Sequence, residues 1–147
     1  MSMPWKSKKK KNEVYVLDAF ALLAFLEAEE GGEIVKDFLQ RPGAQFFISA
    51  VNLGEVYYIV LRERGKEIAE LVESELRQAQ NIRVVDATWE RAKMAGEFKA
   101  RGGISYADCF SAALALEKEA PLLTGDKEFD KVADKVQIIW LRQKAGG

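Results

Sequence analysis

Four carboxylates stand in segments where charge is costly. Asp18 is the only charged residue in Val14–Leu26, Glu55 the only one in Ile48–Leu61, and Asp108 the only one in Ile104–Leu116. Asp126 directly follows the apolar stretch Pro121-Leu122-Leu123-Thr124-Gly125. An ionised carboxylate in apolar surroundings needs a counter-charge, hydrogen bonds or a metal ion. The chain contains no histidine and a single cysteine, Cys109. That excludes Ser-His-Asp and Cys-His catalysis, imidazole proton shuttling, an internal disulfide and any multi-cysteine zinc site. Oxygen-only donors suit a hard ion, Mg²⁺ or Mn²⁺. One or two such ions, with activated water, carry out in-line phosphoryl displacement without a histidine. The composition therefore permits a nuclease and forbids most other hydrolases.

Three of the four acids also have a purely structural reading. Ser105-Tyr106-Ala107-Asp108 has the form of a capping box, Asp126 can cap a short helix running into Lys127–Phe129, and Asp18 can cap the first helix. Glu55 lies past the first turn of its helix and has no such role. Other carboxylate chemistries fit less well. A haloacid-dehalogenase phosphatase wants a second aspartate two positions beyond the first, where this chain has Phe20. The paired acids and late lysine of a receiver domain are missing, and helices threaded between short strands leave little room for a glycosidase cleft. Gly31-Gly32 and Gly102-Gly103 read as helix ends, so no phosphate-binding glycine loop is present.

Elements that would bring the acids together follow from the hydrophobic pattern. Strands are predicted at Val14–Leu17, Gln45–Ile48, Ile82–Val85, Pro121–Thr124 and Val136–Leu141. Helices are predicted from Asp18 to near Gly31-Gly32, over Glu33–Leu39, Val51–Arg64 with Ser49 as N-cap, Lys66–Gln78 beyond Gly65, Thr88–Arg101 ending at Gly102-Gly103, and Ser105–Glu119. Short strands alternating with helices predict a three-layer α/β/α domain with a short, largely parallel sheet of four or five strands. Asp18 and Asp126 then fall just past the carboxyl ends of strands, where such sheets place their ligand crevice. Glu55 and Asp108 lie near the starts of helices that follow or cover the same edge. Cys109, in an apolar helical run, is expected in the core.

At 147 residues and 48% hydrophobic, the chain has the length and apolar content of one domain. Its charge is uneven: residues 1–12 carry Lys6, Lys8, Lys9, Lys10 and Lys11 and no acid, leaving 17 basic and 23 acidic residues, net −6, in the rest. The expected organisation is a flexible basic arm over 1–12, a domain over 13–141 and a short tail over 142–147. Asp18 and the absence of a clean small-x-small cleavage site argue against a secretory signal. No apolar run is long enough for a membrane span, so a cytoplasmic protein is expected.

Val16-Leu17-Asp18 with Ala21-Leu22-Leu23-Ala24, Ile48-Ser49-Ala50-Val51-Asn52-Leu53-Gly54-Glu55-Val56, Ser105-Tyr106-Ala107-Asp108 with Ala112-Ala113, and Leu123-Thr124-Gly125-Asp126-Lys127-Glu128-Phe129 resemble, in order, the four acidic motifs of PIN-domain ribonucleases, especially VapC-type toxins. The resemblance spans roughly Val14 to Leu141. It implies a Mg²⁺- or Mn²⁺-dependent endoribonuclease with Asp18, Glu55, Asp108 and Asp126 as catalytic metal ligands. It also implies supporting roles for the Thr124 hydroxyl and for a polar residue near Glu55, either Asn52 or Ser49. Asp130 is a further acid one helical turn beyond Asp126. RNA contact would fall to Arg62, Arg64 and Lys66, to Arg91, Lys93, Lys99 and Arg101, or to the basic arm. Toxins of this kind pair with a VapB-type antitoxin whose basic tail enters the acidic site, and they form homodimers. Two rival readings are a PIN nuclease of RNA maturation without an antitoxin and a non-catalytic RNA- or protein-binding PIN module.

Overall fold

Alternation along the strands sets the layers. In the computed structural model, which describes residues 13–142, the five strands are β1 (Val14–Leu17), β2 (Gln45–Ser49), β3 (Ile82–Val85), β4 (Leu122–Thr124) and β5 (Ile138–Trp140). They form one sheet in the order β3-β2-β1-β4-β5, and every pairing is parallel. Tyr15, Leu17, Phe46, Ile48 and Leu123 point into one core, whereas Val16, Val85 and Leu122 point into the other. A strand covered on both faces must be apolar at successive positions, and β1 and β4 are.

The first core is closed by α1 (Ala19–Leu26), α2 (Gly32–Leu39), α3 (Ala50–Arg64) and α4 (Lys66–Gln78), through residues such as Leu22, Val35, Val56 and Leu76. The second is closed by α5 (Trp89–Ala100) and α6 (Tyr106–Lys118), through Phe98, Cys109, Phe110 and Leu114. This is the expected three-layer α/β/α architecture, with Cys109 in the core and its thiol pushed up to about 11 by burial.

Two elements differ from the sequence expectation by more than one residue at an end. α1 stops at Leu26 rather than near Gly31, because Ala28 takes a left-handed φ of 52° and the Glu29 N–H turns back to the Ala24 carbonyl at 2.9 Å. β5 is shorter than Val136–Leu141, because the Val136 N–H closes the preceding turn on the Val132 carbonyl at 3.0 Å. The arm expected over 1–12 and the tail beyond Arg142 lie outside the described residues.

Two glycines show opposite constraints. A methyl at Gly32 would overlap the backbone carbonyl of Ala24, where α2 turns against α1. A methyl at Gly96, inside α5, would meet nothing within 4 Å. Denaturant unfolding should therefore show Gly96→Ala more stable by about 0.5–1 kcal/mol, the helix-propensity difference. Gly32→Ala should be less stable by roughly 1–3 kcal/mol from overpacking. Equal effects of the two substitutions would contradict the α1–α2 packing.

Candidate active site

β1 and β4 are neighbours, paired with Leu17 opposite Leu123. One step further along the ladder, Asp18 comes beside Thr124. The Thr124 hydroxyl donates to Asp18 Oδ2 at 2.5 Å, while Asp18 Oδ1 accepts the Ala21 N–H at 2.8 Å and so caps α1. Thr124 Oγ1 also accepts the Asp126 N–H at 3.1 Å. A single hydroxyl thus ties the loops after two strands together. Asp126 in turn caps the 3₁₀ helix Lys127–Val132 by accepting the Glu128 N–H on Oδ1 at 3.0 Å.

Asp108 lies in the first turn of α6. The Ser105 hydroxyl accepts the Asp108 N–H at 3.2 Å, but the reciprocal half of the capping box is missing, since the Ser105 N–H donates to Glu128 Oε2 at 3.4 Å. The Asp108 side chain instead meets the Ser105 and Glu128 side chains. Asp108, Asp126 and Glu128 each present a carboxylate oxygen within 4.8 Å of the others.

Glu55 is set by a buried amide. Asn52, with no exposed surface, donates from Nδ2 to Glu55 Oε1 at 2.9 Å and to the Ala107 carbonyl at 3.1 Å, and its Oδ1 accepts the Ser111 hydroxyl at 2.7 Å. These bonds join α3 of one layer to α6 of the other, immediately before Asp108. Of the two polar candidates near Glu55, Asn52 holds its carboxylate, whereas buried Ser49 caps α3 through the Val51 N–H at 3.2 Å.

A PIN domain profile matches residues 15–135. This chain belongs to the PIN domain family. Solved structures share its fold at low identity. The VapC20 toxin of Mycobacterium tuberculosis, which cleaves the sarcin–ricin loop, is 20% identical, with 84% of this chain and 97% of that chain covered at a TM-score of 0.68. DNA-bound VapBC from Salmonella typhimurium is 19% identical, with 88% and 99% covered at a TM-score of 0.68. VapBC-1 from nontypeable Haemophilus influenzae is 20% identical, with 88% and 99% covered at a TM-score of 0.66. No curated protein matches the chain in sequence.

The acids of this PIN domain sense one another. Burial, with only 1% of Asp18 exposed, pushes its carboxyl up to about 7 against the opposing bonds from Thr124 and Ala21, and the charges of Asp126 and Glu55 add to the rise. Asp108 is raised to about 8, first by burial and then by Asp126, Glu128 and Asp18. Among the described residues no lysine or arginine forms an ion pair with any of these five acids. Three converging carboxylate oxygens with no counter-charge are a donor set that fits a hard divalent cation.

Glu128 was not legible as a site residue. It sits exposed in the mixed-charge stretch Asp126-Lys127-Glu128; the available signals were its place two residues beyond a capping acid and inside the fourth acidic motif. Asp130, also on the 3₁₀ helix, is exposed and outside the converging trio. Several basic candidates are engaged elsewhere: Arg101 with Asp134 at 2.7 Å, Arg91 with Glu117 at 3.0 Å through both nitrogens, and Lys99 with the Ile104 carbonyl at 2.8 Å. Arg62, Arg64, Lys66 and Lys93 are exposed.

Both aspartates titrate higher in the folded than in the unfolded chain. The stability they contribute is therefore fully present below the ordinary aspartate value and lost as pH rises through about 7 for Asp18 and about 8 for Asp108. In EDTA, thermal melts should fall over this window. Asp108→Asn should flatten the fall and melt higher than wild type at pH 9, because it removes one of the mutually repelling carboxylates while the residue 108 N–H still donates to the Ser105 hydroxyl. A variant that melts lower, with the pH slope unchanged, would remove Asp108 from the cluster.

Proposed function

We propose that this PIN domain is a metal-dependent endoribonuclease of the VapC type, the toxin of a toxin–antitoxin pair. The observation that carries the reading is the convergence of Asp108, Asp126 and Glu128 beside buried Asp18 at the carboxyl edge of the sheet, without a basic partner. Asp18, Asp108 and Asp126 would hold one or two Mg²⁺ or Mn²⁺ ions, with Glu55 completing the quartet and Glu128 added by its geometry. A bound ion would supply activated water and charge compensation for hydrolysis of the phosphodiester to 5′-phosphate and 3′-hydroxyl ends.

The chain's own groups prepare that site. Thr124 holds the Asp18 carboxylate in place and ties it to the Asp126 loop. Asn52 fixes one oxygen of Glu55. Asp18 and Asp108 give up protons when a cation enters, so affinity for the ion rises with pH.

The partner is a VapB-type antitoxin whose basic tail is drawn to the same acids. The VapBC complexes among the similar folds support this pairing. Exposed Phe25 and Ile34 on α1 and α2, and Tyr58, Leu61 and Leu71 on α3 and α4, offer apolar surface for the antitoxin and for a second copy in a homodimer. Arg62, Arg64 and Lys66 remain open for RNA, whereas Arg101 is held by Asp134. No helix among the described residues is long and apolar enough to cross a membrane, which fits action in the cytoplasm.

Asp126→Asn should abolish cleavage while the far-UV spectrum and melting point stay near wild type, since an amide oxygen still accepts the Glu128 N–H. Full activity of this variant with Mg²⁺ and with Mn²⁺ would sink the assignment. Induction of the wild-type gene alone should arrest growth, and co-expression of the adjacent upstream gene should relieve the arrest through a stable, inactive complex. A protein harmless on its own that still cleaves RNA in vitro would favour a nuclease without an antitoxin.

A further inference from the structure

A cation and an aromatic ring sit at the lip of the acidic crevice, outside the carboxylate cluster. Phe20, two residues after Asp18, lies directly over Gly125, between Thr124 and Asp126: a methyl built on Gly125 would overlap the ring at Cε1 and Cζ. The ring is half-buried. On it rests Arg142, with its guanidinium carbon 4.4 Å from the ring centroid. The backbone is fixed there because the Leu141 N–H continues the sheet by donating to the Thr124 carbonyl at 3.0 Å. The residue after Leu141 is thereby delivered beside the loop that carries Asp126.

Other stacked cations differ in ways that matter. Arg41 over Phe38 is paired with Glu13, Arg101 over Phe98 with Asp134, and Lys118 over Phe47 with Glu117. Among the described residues, Arg62 and Arg142 are the stacked cations without an ion-pair partner. Arg62 lies seven residues beyond Glu55 on α3, roughly 10 Å along the helix axis. Arg142 lies one ring away from the backbone between Thr124 and Asp126.

A guanidinium held over a ring face by its carbon, and without an ion-pair partner, keeps N–H groups available for a phosphate, which an arginine fork takes through two parallel hydrogen bonds. From this we infer that Arg142, seated on Phe20, binds a backbone phosphate of the RNA flanking the one at the acidic cluster. The inference rests on the ribonuclease reading above. It makes Arg142 a substrate-binding residue and Phe20 its positioning residue. The subsite gives an acidic body a local positive anchor where the strand enters, and Gly125 is required because any side chain there would displace the ring.

The test compares wild type, Arg142→Ala, Arg142→Lys and Phe20→Leu, with a short fluorescent single-stranded RNA of mixed sequence as probe. In Mn²⁺, Arg142→Ala should raise KM about 5- to 10-fold and leave kcat within about twofold, as expected for one lost phosphate contact. Binding is read on an Asp126→Asn background, which keeps the RNA whole. There, Arg142→Ala should lower the salt slope by about 0.7, the single-strand value for one phosphate. Arg142→Lys should keep most of the slope but lose affinity. Phe20→Leu should lose affinity with its slope retained, since the charge remains but its seat is gone. Unchanged KM and slope in Arg142→Ala, with an active wild type, would overturn the subsite alone, as would a fall in melting point and kcat with KM unchanged. A wild type that neither binds nor cleaves RNA would overturn the ribonuclease reading and the subsite with it.

Discussion

Asp18 leaves the central strand of a parallel sheet and enters surroundings with almost no solvent, where its carboxylate depends on two hydrogen bonds, from the Ala21 N–H and the Thr124 hydroxyl. Hydrogen bonds to a charged group contribute about 1.5–3 kcal/mol each, while the effective penalty for burying an ion is several kcal/mol. The two bonds leave a deficit, expressed as a carboxyl raised to about 7. Much of the surrounding structure is organised around that deficit. The Thr124 bond exists only if β1 and β4 are paired in the observed register, so sheet topology and site electrostatics are one constraint seen at two scales.

Two readings of the acids, as helix caps and as site ligands, prove compatible. A cap requires one carboxylate oxygen to accept one or two N–H groups at a helix start. Asp18 and Asp126 each commit Oδ1 to that purpose. Helices that begin at the carboxyl ends of strands thus place their capping acids at the same edge by default. The cap also fixes the side chain's rotamer, so the remaining acceptor capacity is held in a defined direction at little further entropic cost. Asn52 performs the equivalent service for Glu55, which lies too deep in α3 to cap anything.

Much of this architecture was legible from the residues. β1, β3 and α4 fall where the hydrophobic pattern and Gly65 place them, and the expected N-caps Ser49 and Ser105 accept backbone N–H groups. Asp18, Glu55 and Asp108 stood out because each was alone in an apolar segment, and Asp126 because it directly follows one. Glu128 escaped the same logic for a physical reason. Its approach to Asp108 depends on the 3₁₀ turn that Asp126 initiates, and a neighbouring lysine makes the segment look like ordinary solvated surface. Arg142 was illegible for another reason: its position relative to Phe20 comes from β5 pairing with β4, a contact that no local pattern reports.

The acidic balance of the body at first opposes RNA binding, because affinity for a polyanion normally comes from neutralised phosphates. The site's electrostatics resolve this conflict in sequence. With no counter-ion, the carboxyls of Asp18 and Asp108 are raised by burial and by their acidic neighbours, which favours their neutral forms and leaves a strong preference for any cation that replaces the proton. On the proposed reading, a divalent ion and the basic tail of an antitoxin therefore compete for one feature, the uncompensated carboxylates. On that reading RNA would gain access once an ion had reversed part of that charge. On the same reading, an anchor of the kind inferred for Arg142 must stand outside the cluster. Were it within reach of Asp126 or Asp108, it would pair with them and lower their carboxyls, and the demand for a metal would be met by the protein itself.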